Sequence, residues 1–314
     1  MSVEHFKHHT WIDVWTNDTP AALEFLHSAF GLGPVADEEI VRFGPFGTDV
    51  AAIKLEDNST LLQVTGPTHT TTGLDRSRID YPLVIESATE TPLRPVIQHA
   101  TIIHTTDIAA LVERMRSLGL RHRFDEPSAM IPKPRLWIGY GSDKADPWYQ
   151  PSVDGGLKLE FGQYVEGAAG VRPSAGASSV DISGLEASMF LVNDVHASAA
   201  ILERNFEWEP IDVTTRGDAL VARFGFSDKD SAYVELISPR DADTFSGRHL
   251  ADWGAGPYFR RMTCTDLDGR AEVLRAHGVE VTRGTSLDGS GRRAIFVLGG
   301  QVFSSAFELV EPAA

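Results

Sequence analysis

The sequence predicts an α+β protein built from four copies of one supersecondary unit, arranged in two halves. Three observations carry that expectation. A strand-like run ends in Asp and opens a helical pattern four times, at Asp18, Asp107, Asp194 and Asp266. Each copy closes on an apolar strand, and the four closing strands align at Gln63, Glu160, Glu235 and Glu308. A stretch rich in Gly, Ala and Ser at 165–184 reads as a linker near the middle of the chain. The expected halves are therefore 1–164 and 185–314.

The first copy opens with Thr10-Trp11-Ile12-Asp13-Val14-Trp15-Thr16. Alternation puts Ile12 and Val14 on one face of a strand, and His9, Trp11, Asp13 and Trp15 on the other. Thr19-Pro20 reads as an N-cap followed by Pro at the first helical position. The helix over 21–30 should stop at Gly31, and short strands follow near 50–54 and 61–64. A polar connection is expected over 68–95. The second copy opens at 96–107, where Ile102, Ile103 and the flanking threonines favour a strand. Asp107 stands at the N-cap of a helix marked by Ile108, Leu111, Val112, Met115 and Leu118, stopped by Gly119. An insertion over 142–150 carries Trp148 and Tyr149, either as a lid over a pocket or as a surface flap. A hairpin over 152–161, turning at Asp154-Gly155-Gly156, should close this copy. The third copy opens at 187–194, has a helix ending near Asn205, and closes at 232–239. The fourth opens at 258–266 with Arg260, Arg261 and Cys264, has a helix ending at Gly278, and closes at 305–312.

Composition bounds the function. The chain has 314 residues, 42% of them hydrophobic and 23% charged, which is enough to bury a sizeable core. The formal net charge of -16 argues against nucleic acid and against an anionic membrane surface. Any anionic substrate would need a local basic residue. Cys264 is the single cysteine, so no intrachain disulfide forms, which fits a reducing cytoplasm. No apolar run approaches the roughly 18 residues of a membrane-spanning helix. No Walker loop, G-x-S-x-G, Cys-x-x-Cys or H-E-x-x-H occurs.

The repeated opening, as in Thr16-Asn17-Asp18 through Ala29-Phe30-Gly31-Leu32, and the close Phe307-Glu308-Leu309-Val310-Glu311-Pro312 resemble the vicinal-oxygen-chelate superfamily. That group includes glyoxalase I, bleomycin-resistance proteins and extradiol ring-cleaving dioxygenases. The resemblance runs over nearly the whole chain. It implies βαβββ modules, paired so that each pair's sheets curl around one cavity. It also implies a divalent metal ion (Fe2+, Mn2+, Zn2+ or Ni2+), held by His on opening strands and Glu on closing strands. Such a face leaves coordination positions open for substrate and O2. Counting back seven residues from each Asp reaches Trp11, Ala100, Ala187 and Phe259, none of which binds a metal. Ile97-Gln98-His99 with Leu159-Glu160-Phe161-Gly162 looks like the final module of extradiol dioxygenases. Tyr140 lies near where that group often has a Tyr, which makes it the candidate catalytic residue.

His99 and Glu160 are accordingly the candidate ligand pair, with His9 or His104 as the third. His104 shares parity with Ala100 and Ile102, so His99 points the other way unless a bulge intervenes. The bland readings are a core histidine for His104, a frayed terminus for His8 and His9, and a hydrogen-bonded strand residue for Glu160. Trp11, Asp13, Trp15 and Trp148 are candidate substrate-binding residues. Arg260 and Arg261 are expected to pair with Glu308 rather than to receive an anionic group, and the C-terminal half to be structural or a ligand cup. The expected function is a metal-dependent oxygenase, lyase or isomerase acting on a small oxygenated metabolite. The rival is a metal-free binding protein that stacks an aromatic small molecule or antibiotic on its tryptophans. A homodimer is open, because such modules pair within or between chains.

Overall fold

A computed structural model of the chain describes residues 5–43, 48–55, 58–67, 96, 98, 100–127, 133–139, 151–166, 181–298 and 305–313. Among these residues the first two modules contribute β1 (Phe6–Trp15), β2 (Val41–Phe43), β3 (Thr48–Lys54), β4 (Leu61–Pro67), β5 (Thr101–Thr105), β6 (His122–Asp125), β7 (Arg135–Ile138) and β8 (Leu159–Gln163). They form one eight-stranded sheet in the order β2-β3-β4-β1-β5-β8-β7-β6. The last two modules contribute β9 (Ile182–Leu191), β10 (Asp212–Arg216), β11 (Ala219–Phe224), β12 (Tyr233–Pro239), β13 (Gly256–Cys264), β14 (Val281–Thr285), β15 (Arg293–Leu298) and β16 (Ala306–Val310). Their order, β10-β11-β12-β9-β13-β16-β15-β14, repeats the first sheet's. In both, the opening strands sit at the centre, each beside the closing strand of its own module. The expected α+β architecture of paired βαβββ modules is what the chain forms.

Each module's helix starts where the sequence placed it, because an Asp side chain takes up a backbone N–H of the first turn. Asp18 accepts from Ala21 N at 3.0 Å ahead of α1 (Thr19–Phe30). Asp107 accepts from Ala110 N at 2.9 Å ahead of α2 (Ile108–Ser117). A third helical segment, α3 (Pro151–Asp154), precedes β8. Asp194 caps α4 (Val195–Phe206) through His196 N and Ala197 N. After α5 (Phe245–Trp253), Asp266 caps α6 (Leu267–Ala276) through Gly269 N at 2.9 Å.

Three expectations change. Thr19 is the first helical residue and Asp18 the cap, since the carboxylate reaches the free N–H groups. The hairpin over 152–161 is absent. The antiparallel partner of β8 is β7, and the chain directly before β8 forms α3 instead. There the Asp154 carboxylate holds Gly156 N at 2.8 Å and Lys158 N at 3.1 Å. The left-handed cap after α4 is Glu207, at φ 54, rather than Asn205. Asn205 is buried and donates to Val153 O at 2.7 Å.

By packing, the chain divides into two units that cut across the sheets. One comprises residues 1–11, 100–168 and 188–257, which are chiefly the second and third modules. Its core joins Ile103, Met115, Leu136 and Phe161 to Phe206, Trp208, Phe224 and Leu236. Phe6 sits among them, with its ring 5.9 Å from Phe161 and 5.2 Å from Trp208. Each such side chain stabilises the fold by about 1.5–3 kcal/mol, and Phe161→Ala would cost about 3–5 kcal/mol. The other unit comprises residues 12–99, 169–187 and 258–314, chiefly the first and fourth modules. Within it Phe30 packs on Phe307 at 5.1 Å, and Arg270 joins Ala29 O to the Asp181 carboxylate.

Candidate active site

The site is built on a strand that does not alternate. β1 runs antiparallel to β5, with Phe6 opposite Thr105, His8 opposite His104, His9 opposite Ile103 and Trp11 opposite Ile102. The register shifts twice, leaving Lys7 and Thr10 as extra residues. Residues directly opposite one another share a face. His8 and Trp11 therefore share the face of Ile102 and His104, while Phe6 and His9 share the face of Ile103, in the core. His9 does not share the face of Trp11 as strict alternation predicts. Its ring stacks on Phe226 at 6.3 Å, and its backbone N–H donates to Ser231 Oγ at 2.9 Å.

His8 takes the position the alternation assigned to His9. Its Nε2 lies 3.0 Å from His104 Nδ1, and its Nδ1 lies 3.8 Å from Asp228 Oδ2. His104 is buried and His8 largely so, which disfavours the imidazolium: His8 falls to about 4 and His104 to about 2. Tyr164 closes one side, edge-on to His8 at 5.7 Å, with Lys7 over its ring.

β8 adds the acid. Parallel pairing sets Glu160 beside Ile102 and Gly162 beside His104, so all four lie on one face. The next strand, β7, sets Trp137 against Glu160 and Arg135 against Gly162. Glu160 Oε1 lies 2.9 Å from Arg135 Nη1. Oε2 has no hydrogen-bond partner among the described residues, nor do Arg135 Nε and Nη1 in aligned geometry. Burial pushes the Glu160 carboxyl up to about 7, against the pull of Arg135. Gly162 leaves the space these groups use. A Cβ there would meet His104 Cδ2 at 2.9 Å and Arg135 Nη1 at 3.0 Å. Trp137 donates to Asp125, which also holds Arg123.

The three other closing strands show what sets Glu160 apart. Glu308 is held on both oxygens, by Arg261 Nε at 2.8 Å and Leu287 N at 2.7 Å. Glu235 Oε1 receives Arg223 at 2.9 Å and Arg216 at 3.4 Å. Gln63 donates to Asp13 Oδ1 at 3.3 Å and to Thr65 Oγ1 at 2.8 Å. An Arg on the closing-strand Glu is thus a recurring device of the fold, and the Arg261–Glu308 pair is as expected. Glu160 alone among the three carboxylates keeps an oxygen without a described partner. The residue that faces a closing-strand position lies five before the capping Asp, not seven: Ile102 opposes Glu160, Arg261 opposes Glu308, and Asp13 meets Gln63.

Of the residues singled out in the sequence, His104 and Glu160 share this face. His99, Tyr140 and Trp148 lie outside the described residues. Trp11 belongs to the first packing unit, and Asp13 and Trp15 to the second, where Asp13 is bound by Thr65 Oγ1 at 2.8 Å and Trp15 is fully buried. Sequence reasoning missed His8, Lys133 and Arg135. The alternation Lys133-x-Arg135-x-Trp137 was the available signal for the last two. Among the described residues no three His, Cys, Asp or Glu side chains gather as a metal site. The donor set of this face also carries Arg135 against Glu160 and Lys133 near both histidines. Two cations against one carboxylate do not fit a divalent ion in this arrangement.

Residues 184–307 match the family model described as the Glyoxalase/Bleomycin resistance protein/Dioxygenase superfamily. Along almost its full length the chain is similar in structure to a mutant of 4-hydroxymandelate synthase from Streptomyces coelicolor, covering 99% of this chain and 94% of that one, with a TM-score of 0.56 at 11% identity. Residues 184–307 are thus similar to that superfamily, and the whole chain shares the fold of the synthase. A methylmalonyl-CoA epimerase from Mycobacterium tuberculosis is also similar, at 21% identity over 43% of this chain and 93% of that one, with a TM-score of 0.37. No curated protein matches in sequence. No described helix of this chain is long and apolar enough to cross a membrane.

Proposed function

We propose that the protein is an enzyme that moves a proton on a small oxygenated molecule, with Glu160 as its acid–base group. One observation carries this reading: Glu160 is a buried carboxyl held near neutrality, with one oxygen unclaimed by any described residue and a guanidinium beside it. A general base works best when its pKa lies near the operating pH. Glu160 would take a proton from a carbon next to a carbonyl. Arg135 would hold the carbonyl oxygen as it gains charge, which is where fixed charge lowers a barrier most. Returning the proton to the opposite face of that carbon gives epimerisation, and returning it to another atom of the enolate gives isomerisation, in neither case with a co-reactant. The neutral His8–His104 pair would keep that face dry and orient His104.

The test is exchange of solvent deuterium into a panel of small 2-oxo acids and their esters, followed by 1H NMR. Wild type should exchange at least one of them. Glu160→Gln should slow that exchange by about 100-fold or more. An unchanged rate in the variant overturns the reading, and tight binding without exchange favours the metal-free binding protein. Chelated and metal-loaded protein should behave alike. Activity only when loaded would return His99, His104 and Glu160 to the role of ligands.

A further inference from the structure

Among the described residues, Lys133 and Arg135 stand against a single closing-strand carboxylate, Glu160. Lys133 is 9% exposed and, among the described residues, forms no ion pair. Its ammonium acts electrostatically on Arg135, His8 and His104, which places it at the same corner of the first packing unit. Arg135 meets Glu160 Oε1 at 2.9 Å but leaves Nε and Nη1 without an aligned acceptor among the described residues. The remaining carboxylates near this corner are engaged elsewhere: Asp125 holds Arg123 and Trp137, and Asp228 lies against His8. Buried cations without matched acceptors are costly. In a chain of net charge -16 the overall field opposes an anion, so an anionic ligand depends on local cations such as these two. Arginine donors left open in this way are suited to a planar oxyanion.

We propose that the ligand of this face is a small organic acid whose carboxylate is received by Arg135 and Lys133. The idea rests on the reading that this face is the substrate site, and it deepens that reading by naming the substrate class. The carboxylate would take the open Arg135 donors, displacing part of the Glu160 contact and leaving Glu160 Oε2 directed at the rest of the molecule. The neutral histidine pair contributes donors without adding charge, so selectivity rests on the two cations.

The probe is oxalate, titrated calorimetrically into the full-length protein beside inorganic phosphate. Oxalate should bind saturably at one site. Arg135→Gln and Lys133→Gln should each weaken it tenfold or more. Glu160→Gln should tighten it, because the variant removes the carboxylate that competes for Arg135. A change in that direction cannot arise from misfolding. Oxalate binding that is absent, or unaffected by both cation variants, overturns the proposal. Phosphate binding as tightly as oxalate, with the same dependence on Arg135 and Lys133, overturns the carboxylate assignment in favour of a phosphate ester. If oxalate behaves as expected but Glu160→Gln retains full deuterium exchange, the organic-acid site stands and the acid–base role of Glu160 falls.

Discussion

His104 Nδ1 lies 3.0 Å from His8 Nε2 on the neighbouring antiparallel strand. One of the two nitrogens must donate and the other accept, so the pair shares a single proton between those atoms. Protonating the acceptor nitrogen as well would set two N–H donors against each other and put an imidazolium on this face. The hydrogen bond therefore requires that the accepting ring stay neutral.

That requirement has a sign in pH. The folded histidines sit at about 4 and about 2, below their ordinary 6.5. Between those values the unfolded chain binds more protons, so stability falls as pH drops below about 6.5. The urea midpoint should decline from pH 6.5 to 4. The double variant His8→Asn with His104→Asn should flatten that decline.

Glu160 acts in the opposite direction. Its folded carboxyl stands near 7, above the ordinary 4.5. Its contribution is fully present below pH 4.5 and is lost as pH rises through 7. Glu160→Gln should gain on wild type as pH increases from 5 to 8, by on the order of a few kcal/mol at most. Melting curves of both proteins across that range read the difference. A constant offset would mean that Arg135 keeps Glu160 ionised throughout.

Gly162 is a packing requirement of the site rather than of the strand. Gly162→Ala would push on the ends of His104 and Arg135, both of which can shift. Overpacking of this kind costs about 1–3 kcal/mol. The larger effect should fall on oxalate affinity, which calorimetry would show reduced more than the melting temperature predicts.

The buried Arg261–Glu308 pair predicts a non-additive result. Arg261→Met alone should destabilise by about 3–5 kcal/mol, because Glu308 is left charged and buried. Adding Glu308→Leu should recover most of that loss. Denaturant titrations of the two singles and the double close the cycle.

Cys264 should resist thiol reagents in the native protein. It is fully buried, and burial pushes its thiol up to about 12. A colorimetric thiol assay should read nothing until denaturant is added.

The fold was legible because it rests on local signals repeated four times. Each Asp before a helix and each apolar closing strand is written into a few consecutive residues, and Asp18, where Thr19 was read as the cap, caps its helix as Asp107, Asp194 and Asp266 do. The site was legible only in part. Glu160 and His104 emerged from parity, which the regular pairing of β5 with β8 preserves. His8 and His9 exchanged roles because Lys7 and Thr10 add residues to β1, and nothing in their side chains announces a register shift. Lys133 and Arg135 stayed hidden because a cation on a short strand reads as a solvated face unless its neighbour is known to be a buried acid. The hairpin at Asp154 failed because the antiparallel partner of β8 is β7, earlier in the chain, while the residues at the expected turn form α3.

The N-terminal strand has one further consequence, for synthesis. Its edge is completed by residues near the third module: Ser227 N donates to Phe6 O, Asp228 N to Lys7 O, and His9 N to Ser231 Oγ, 222 positions away. A ribosome making this chain supplies β4 and β5 early, but the contacts of Phe6, Lys7 and His9 with 227–231 only when most of the polypeptide has emerged. Until then the N-terminal end of β1 lacks these three contacts. Closing so long a loop is slow. Nascent chains stalled short of residue 231 should therefore be protease-sensitive at their N-terminus, and chaperone capture should be heaviest in that interval.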